Sequence, residues 1–201
     1  MDKIVENAMA YARELFSRDH SGHDWFHTLR VYKMATTLAE KEGAQLLPVQ
    51  LGALLHDVDD IKLSPQTHKN KDNARKFLRE NGAGPDMIEK ICHIIDQVSF
   101  KGTDSVTPDS LEGMCVQDAD RLDAMGAIGI GRTFAFGGSR GRRMHDPDGQ
   151  DTSSSIQHFY DKLLRLKELM NTETGRRLAL ERDAFMRSFL NQFYAEWDGE
   201  R

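Results

Sequence analysis

A chain of 201 residues that is 39% hydrophobic and 29% charged can build one domain with a sizeable core and is too apolar to be disordered. Its net charge of −5 offers no global basic field for nucleic acid or an anionic membrane, and no apolar run approaches the roughly 18–20 residues of a membrane span. The N-terminal MDKIVENAMAYARELF is not a signal peptide, and Cys92 and Cys115 stand alone as buried thiols of a reducing compartment, so the expected location is the cytoplasm.

Helical periodicity runs through most of the chain. Residues 2–17 place Ile4, Ala8, Tyr11, Ala12 and Leu15 on one face. Residues 24–42 do the same with Phe26, Leu29, Val31, Met34 and Leu38, and Gly43 ends them as a C-cap. Pro48 sits near the first turn of a third helix that runs to the doublet His56-Asp57. Residues 69–80 and 85–98 read as two more helices, separated by the breaker NGAGP. KGTDSVTPDS (101–110) is a loop, and Pro108 near its end marks a new helix through Asp118 and Arg121. GIGRTFAFGG lacks the preceding strand and the GK[ST] of a phosphate loop, so its glycines read as helix-packing and turn positions. Residues 137–155 are the longest polar, Gly-rich stretch, either a surface flap or partly disordered. Residues 156–197 look like two long helices broken around Asn171–Gly175. No strand alternation or internal repeat is present. The expected architecture is an all-α bundle, one domain over 1–201, with a Gly/Arg-rich polar flap before the last two helices.

The stretch LLHDVDD breaks a local rule. Leu51, Ala53, Leu54 and Leu55 lead into His56, Asp57, Asp59 and Asp60. Carboxylates at a helix C-terminus face the negative end of its dipole, and charges beside a core are costly unless paired. A bound cation resolves the conflict. His27 in GHDWFHTLRV, with Asp118, Asp120 and Asp123 in QDADRLDAMGAIGIG, extends the set to two imidazoles and at least two carboxylates. Such nitrogen and oxygen donors suit one divalent metal with room for water, and the lack of a thiolate argues against structural zinc.

In this order on helices, the residues resemble the HD-domain superfamily of metal-dependent phosphohydrolases. DWFHTLRV, GALLHDVDD, VSFKG and DADRLDAMGAIGIGRTFAFGG are similar to its stand-alone bacterial branch of YedJ/YpgQ-type proteins, from about residue 19 to the C-terminus. The resemblance implies an HD-domain helical bundle with metal ligands at His27, His56, Asp57 and Asp120. Asp120 is preferred to Asp118 for its context Ala119-Asp120-Arg121-Leu122. Asp118 is then either a partner orienting a ligand or a solvated helix residue. Asp60 is implied as a general acid or base, with a cap or salt-bridge role as its alternative. Lys101 and Arg121, with Lys62, are the cations expected to hold phosphate. His23 and Asp24 either face the site or cap a helix start. His93 either lines the pocket or is a buried, satisfied histidine. The SRGRR run at 139–143 is either a basic lid or a solvated loop, and His20, His68 and His158 read as surface residues.

The implied chemistry is hydrolysis in which the metal lowers the pKa of a water that attacks phosphorus. The ligand set does not choose among Mn²⁺, taken first, and Mg²⁺, Fe²⁺, Ni²⁺ or Co²⁺. By family analogy the substrate is a nucleotide, with deoxynucleoside triphosphates cleaved to monophosphate and pyrophosphate. One alternative is a phosphodiesterase for cyclic or dinucleotide substrates, against which the HD-GYP signature is missing. Another is a non-catalytic metal-holding regulatory module, against which the complete ligand set and Asp60 stand. The expected partner is a small phosphorylated molecule, with neither membrane nor nucleic acid.

Overall fold

The computed structural model describes residues 2–17, 24–61, 63–98 and 106–200. Among them are nine α-helices, one 3-10 helix and no strand, as the all-α reading requires. No helix among the described residues is long and apolar enough to cross a membrane. The chain divides into two units, Met1–Asp120 and Arg121–Arg201.

The first unit holds α1 (Lys3–Leu15), α2 (Trp25–Glu42), α3 (Leu46–Leu55), α4 (Asp72–Glu80), α5 (Pro85–Val98) and most of α6 (Leu111–Asp123). α3 is its centre. Val49, Leu51, Ala53, Leu54 and Leu55 are all fully buried, and a helix apolar on every side must be covered on every side. It packs on α1, α2 and α5. Gly52 permits the last contact, because a Cβ there would stand 2.9 Å from Ile94 Cγ2. The His56-Asp57 doublet therefore leaves the middle of a core.

In the first unit, α2 and α4 differ from the sequence reading, and Leu15 of α1, expected on the inner face, is exposed. On α2 the expected stripe included Phe26, which is 64% exposed, while His27, Thr28, Val31, Ala35 and Leu38 are buried. The spacing of 27, 31, 35 and 38 keeps one helix face inward, and a histidine rather than a phenylalanine opens it. The helix expected over 69–80 begins only at Asp72, because residues 65–71 form turns and Lys71 takes a left-handed φ of 55°. Gly43 ends α2 in the left-handed conformation, φ 78°, as expected. Cys92 and Cys115 are buried and unbridged, and burial pushes their thiols up to about 11 and about 12.

The second unit holds α7 (Gly126–Ser139), α8 (Ser155–Asp161), a 3-10 helix (Leu163–Leu169) and α9 (Glu173–Trp197). The polar stretch at 137–155 begins as the last turn of α7 and continues as turns, with the Asp146 carboxylate accepting the Gln150 and Asp151 N–H groups at 2.8 and 2.6 Å. The first of the two long helices expected over 156–197 is short. Lys162, at φ −134° and ψ −60°, leaves the helical region, and the tighter 3-10 turn that follows buries Leu163, Leu164 and Leu166. Thr172 caps α9 within the expected break, its Oγ1 accepting the Gly175 N–H at 3.0 Å.

The α7 glycines make a paired prediction. A Cβ at Gly129 would lie 2.2 Å from the Ala124 carbonyl oxygen, whereas one at Gly131 meets nothing within 4 Å. Gly129→Ala should therefore destabilise by about 1–3 kcal/mol through backbone displacement. Gly131→Ala should stabilise by roughly 0.5–1 kcal/mol, because glycine is the poorer helix former. Thermal melts of the two variants check both signs.

Candidate metal centre

Three helices of the first unit deliver the centre. The Asp24 carboxylate starts α2 by accepting the His27 N–H at 2.7 Å, which settles Asp24 as a cap. α3 stops at Leu55, and the chain continues by tight i to i+3 bonds, Val58 N–H to Leu55 O at 3.2 Å and Asp60 N–H to Asp57 O at 3.0 Å. His56 and Asp57 thus leave the core on a turn rather than on another turn of α-helix. Asp120 comes from α6.

The donor atoms converge. The two Nε2 atoms of His27 and His56 are 3.3 Å apart. Asp57 Oδ2 lies 3.2 Å from His56 Nε2 and 3.5 Å from His27 Nε2. Asp120 Oδ1 lies 3.4 Å from His27 Nε2. Ligand atoms about 2.1 Å from one ion stand about 3.0–3.4 Å from each other in octahedral or tetrahedral arrangements, so the spacing of His27, His56 and Asp57 fits a single divalent cation, with Asp120 beside His27. His27, His56 and Asp57 are all buried, and Asp120 is a quarter exposed on its side chain.

The surroundings prepare His56 for that task. Its Nδ1 lies 2.8 Å from the Ala53 carbonyl. A carbonyl only accepts, so Nδ1 carries the proton and Nε2 faces the other donors. Burial works against a charged His56, but the Asp57 carboxylate, by charge and hydrogen bond, and the Asp120 charge outweigh it and push the imidazole up to about 9.

The other residues singled out in the sequence are less uniform. Asp60 is half-buried, and its carbonyl accepts the Leu63 and Ser64 N–H groups. Lys101 lies outside the described residues, as do Lys62, His20 and His23. Arg121 opens the second unit, is 5% exposed, and donates through Nη1 to the Leu169 carbonyl. Asp118 is fully buried, which removes the solvated reading. His93 is exposed rather than buried, with Nε2 2.9 Å from Asp109 Oδ2. His68 and His158 are half-buried rather than surface residues. Arg140 and Arg142 lie over the Phe136 ring, 5.4 and 5.5 Å from its centre. Asp123, one of the acids offered for the metal, pairs with Arg132 at 2.5 Å. Sequence reasoning gave Asp59 no role, yet it is 1% exposed and caps α4.

Residues 25–125 match the family model described as HD domain. The chain is 40% identical over 199 residues to YpgQ of Bacillus subtilis (strain 168), covering 98% of this chain and 95% of that protein. A crystal structure of an HD-superfamily hydrolase from Bacillus thuringiensis superposes with a TM-score of 0.83 at 40% identity, covering 97% of both chains. The structure of B. subtilis YpgQ in complex with ADP gives a TM-score of 0.83 at 37% identity, over 97% of this chain and 98% of that one. A cluster of His27, His56 and Asp57, with Asp120 against His27, in a chain with these relatives, defines a metal-dependent phosphohydrolase. The chain belongs to the HD-domain superfamily.

Proposed function

We propose that this phosphohydrolase acts on nucleotides, with (d)NTP cleaved to (d)NMP and pyrophosphate, using Mn²⁺ held by His27, His56, Asp57 and Asp120. The observation that carries the metal assignment is the convergence of His27, His56 and Asp57 within 3.2–3.5 Å of one another, with Asp120 3.4 Å from His27. Nucleotide chemistry is supported by the ADP complex of YpgQ. When bound, a divalent cation supplies positive charge that activates a water and polarises a phosphoryl oxygen. His56 offers Nε2 because Ala53 holds its other nitrogen. Asp60 moves the proton. Lys101 and Arg121 hold phosphate oxygens, Arg121 with a second duty at the Leu169 carbonyl. The two units work as one functional module in the cytoplasm, on small phosphorylated molecules rather than nucleic acid. Support for a single module is that the relatives match almost the whole chain.

The test is turnover of a nucleotide panel with Mn²⁺ and product analysis. Pyrophosphate release from triphosphates is expected. Turnover of cyclic or dinucleotide diesters alone would replace this reading with a phosphodiesterase. Lys101→Ala should lower kcat/KM by about tenfold to a hundredfold, the worth of one charge-assisted contact, without changing metal content. The loss should be larger for a triphosphate than for a simple diester. Equal kcat/KM for wild type and variant on both substrates would move the phosphate contact elsewhere.

A further inference from the structure

The run Asp57, Asp59, Asp60 gathers carboxylates that the metal centre does not all use. Asp59 is the most buried of the three, and a buried carboxylate is costly unless its oxygens are satisfied. Its two oxygens accept the Asn73 N–H at 3.1 Å and the Ala74 N–H at 2.9 Å, both in the first turn of α4. There the helix dipole favours a negative charge, so Asp59 is compensated without a cation. The backbone around it is tied as well. The Val58 carbonyl accepts from Asn73 Nδ2 at 3.0 Å, and the Asp59 carbonyl from His68 Nδ1 at 2.8 Å. Lys71 holds the His68 segment in turn, donating to the His68 carbonyl at 2.7 Å and pairing with Asp96 on α5 at 2.5 Å.

The bonds to Asn73, Ala74 and His68 fall on Val58 and Asp59, the two residues that follow Asp57. Swinging the Asp57 carboxylate away from His27 and His56 by a backbone change requires breaking them. We propose that Asp59 is a positioning residue that fixes the Asp57 carboxylate in the metal centre by clamping the turn after it to α4. The proposal rests on the assignment of Asp57 as a ligand, and it gives Asp59 no contact with metal or substrate.

The test is Mn²⁺ affinity of the full chain, read from the electron paramagnetic resonance of free Mn²⁺ during titration. Asp59→Ala should weaken binding by about tenfold to a hundredfold, the usual consequence of losing a group that orients a ligand. Asp59→Asn keeps one of the two capping oxygens and should weaken binding severalfold, less than Asp59→Ala does. Thr172→Ala removes a cap from α9 in the second unit. It should lower the melting temperature and leave Mn²⁺ affinity alone, which separates positioning from general stability. Wild-type Mn²⁺ affinity in a folded Asp59→Ala protein overturns the proposal, as does an equal loss of affinity in Thr172→Ala. If Asp59→Ala does not fold, Asp59→Asn decides: a severalfold loss supports the clamp and wild-type affinity overturns it. Asp57→Ala runs alongside. Undiminished binding there would remove the ligand assignment itself, and the clamp with it.

Discussion

Asp57→Ala should remain folded, come out of purification without metal and show phosphohydrolase turnover at background. Asp57 Oδ2 is the donor shared between both imidazoles, 3.2 Å from one Nε2 and 3.5 Å from the other, so its loss opens the centre. A ligand that binds only the folded state adds about 2.7 kcal/mol at a hundredfold excess over its Kd. For a chain of this size that is roughly 5–10 °C of melting temperature. Chelation should therefore lower the wild-type melting temperature by about that amount and leave Asp57→Ala unmoved. Metal content by elemental analysis checks the first half, and full retention of metal in Asp57→Ala would remove the assignment. The binding should also depend on pH in a definite direction. His56 is pushed up to about 9 by its carboxylate neighbours, so at neutral pH it holds a proton that a metal must expel. Affinity should rise by about tenfold per pH unit on the way to pH 9 and level off above it. A flat affinity between pH 6 and 8 would mean that His56 is not displaced.

Asp60→Asn should keep its metal and its fold but lose about 10²–10⁴ in kcat, the range for a missing general acid or base. The turn geometry makes this a local claim. Asp60 follows Asp57 by three residues on a tight turn, its N–H held by the Asp57 carbonyl at 3.0 Å, and it is half-buried. Asparagine preserves shape and hydrogen-bonding reach but cannot carry the proton. Wild-type turnover across the whole pH range would reduce Asp60 to a structural role.

The helices were legible where period, cap and breaker agreed. α5 begins at Pro85, the last residue of NGAGP, and α2 ends at Gly43, because a fixed φ and a left-handed residue act locally. The approach of His27 to His56 was legible only through the order of motifs, since hydrophobic period alone put Phe26 on the inner face. What escaped was long-range or conformational. Asp59 finds its partners 14 and 15 residues away across a run of turns, and no spacing rule connects them. The late start of α4 follows from the left-handed Lys71, a conformation that lysine does not advertise. The end of α8 at Asp161 is set by where Leu163, Leu164 and Leu166 must be buried, not by any breaker in HFYDKLLRLKEL.

The two cysteines have a practical use. Both are buried and held near 11 and 12, so at neutral pH fewer than about one in a thousand of either is thiolate, the form that alkylating reagents attack. The native chain thus offers maleimides almost nothing to react with. A cysteine placed on the exposed side of α9, for example at Arg177, would be the one labelled position in an otherwise unaltered protein. A fluorophore or nitroxide there would report on the second unit while metal is titrated into the first, with both native thiols left in place.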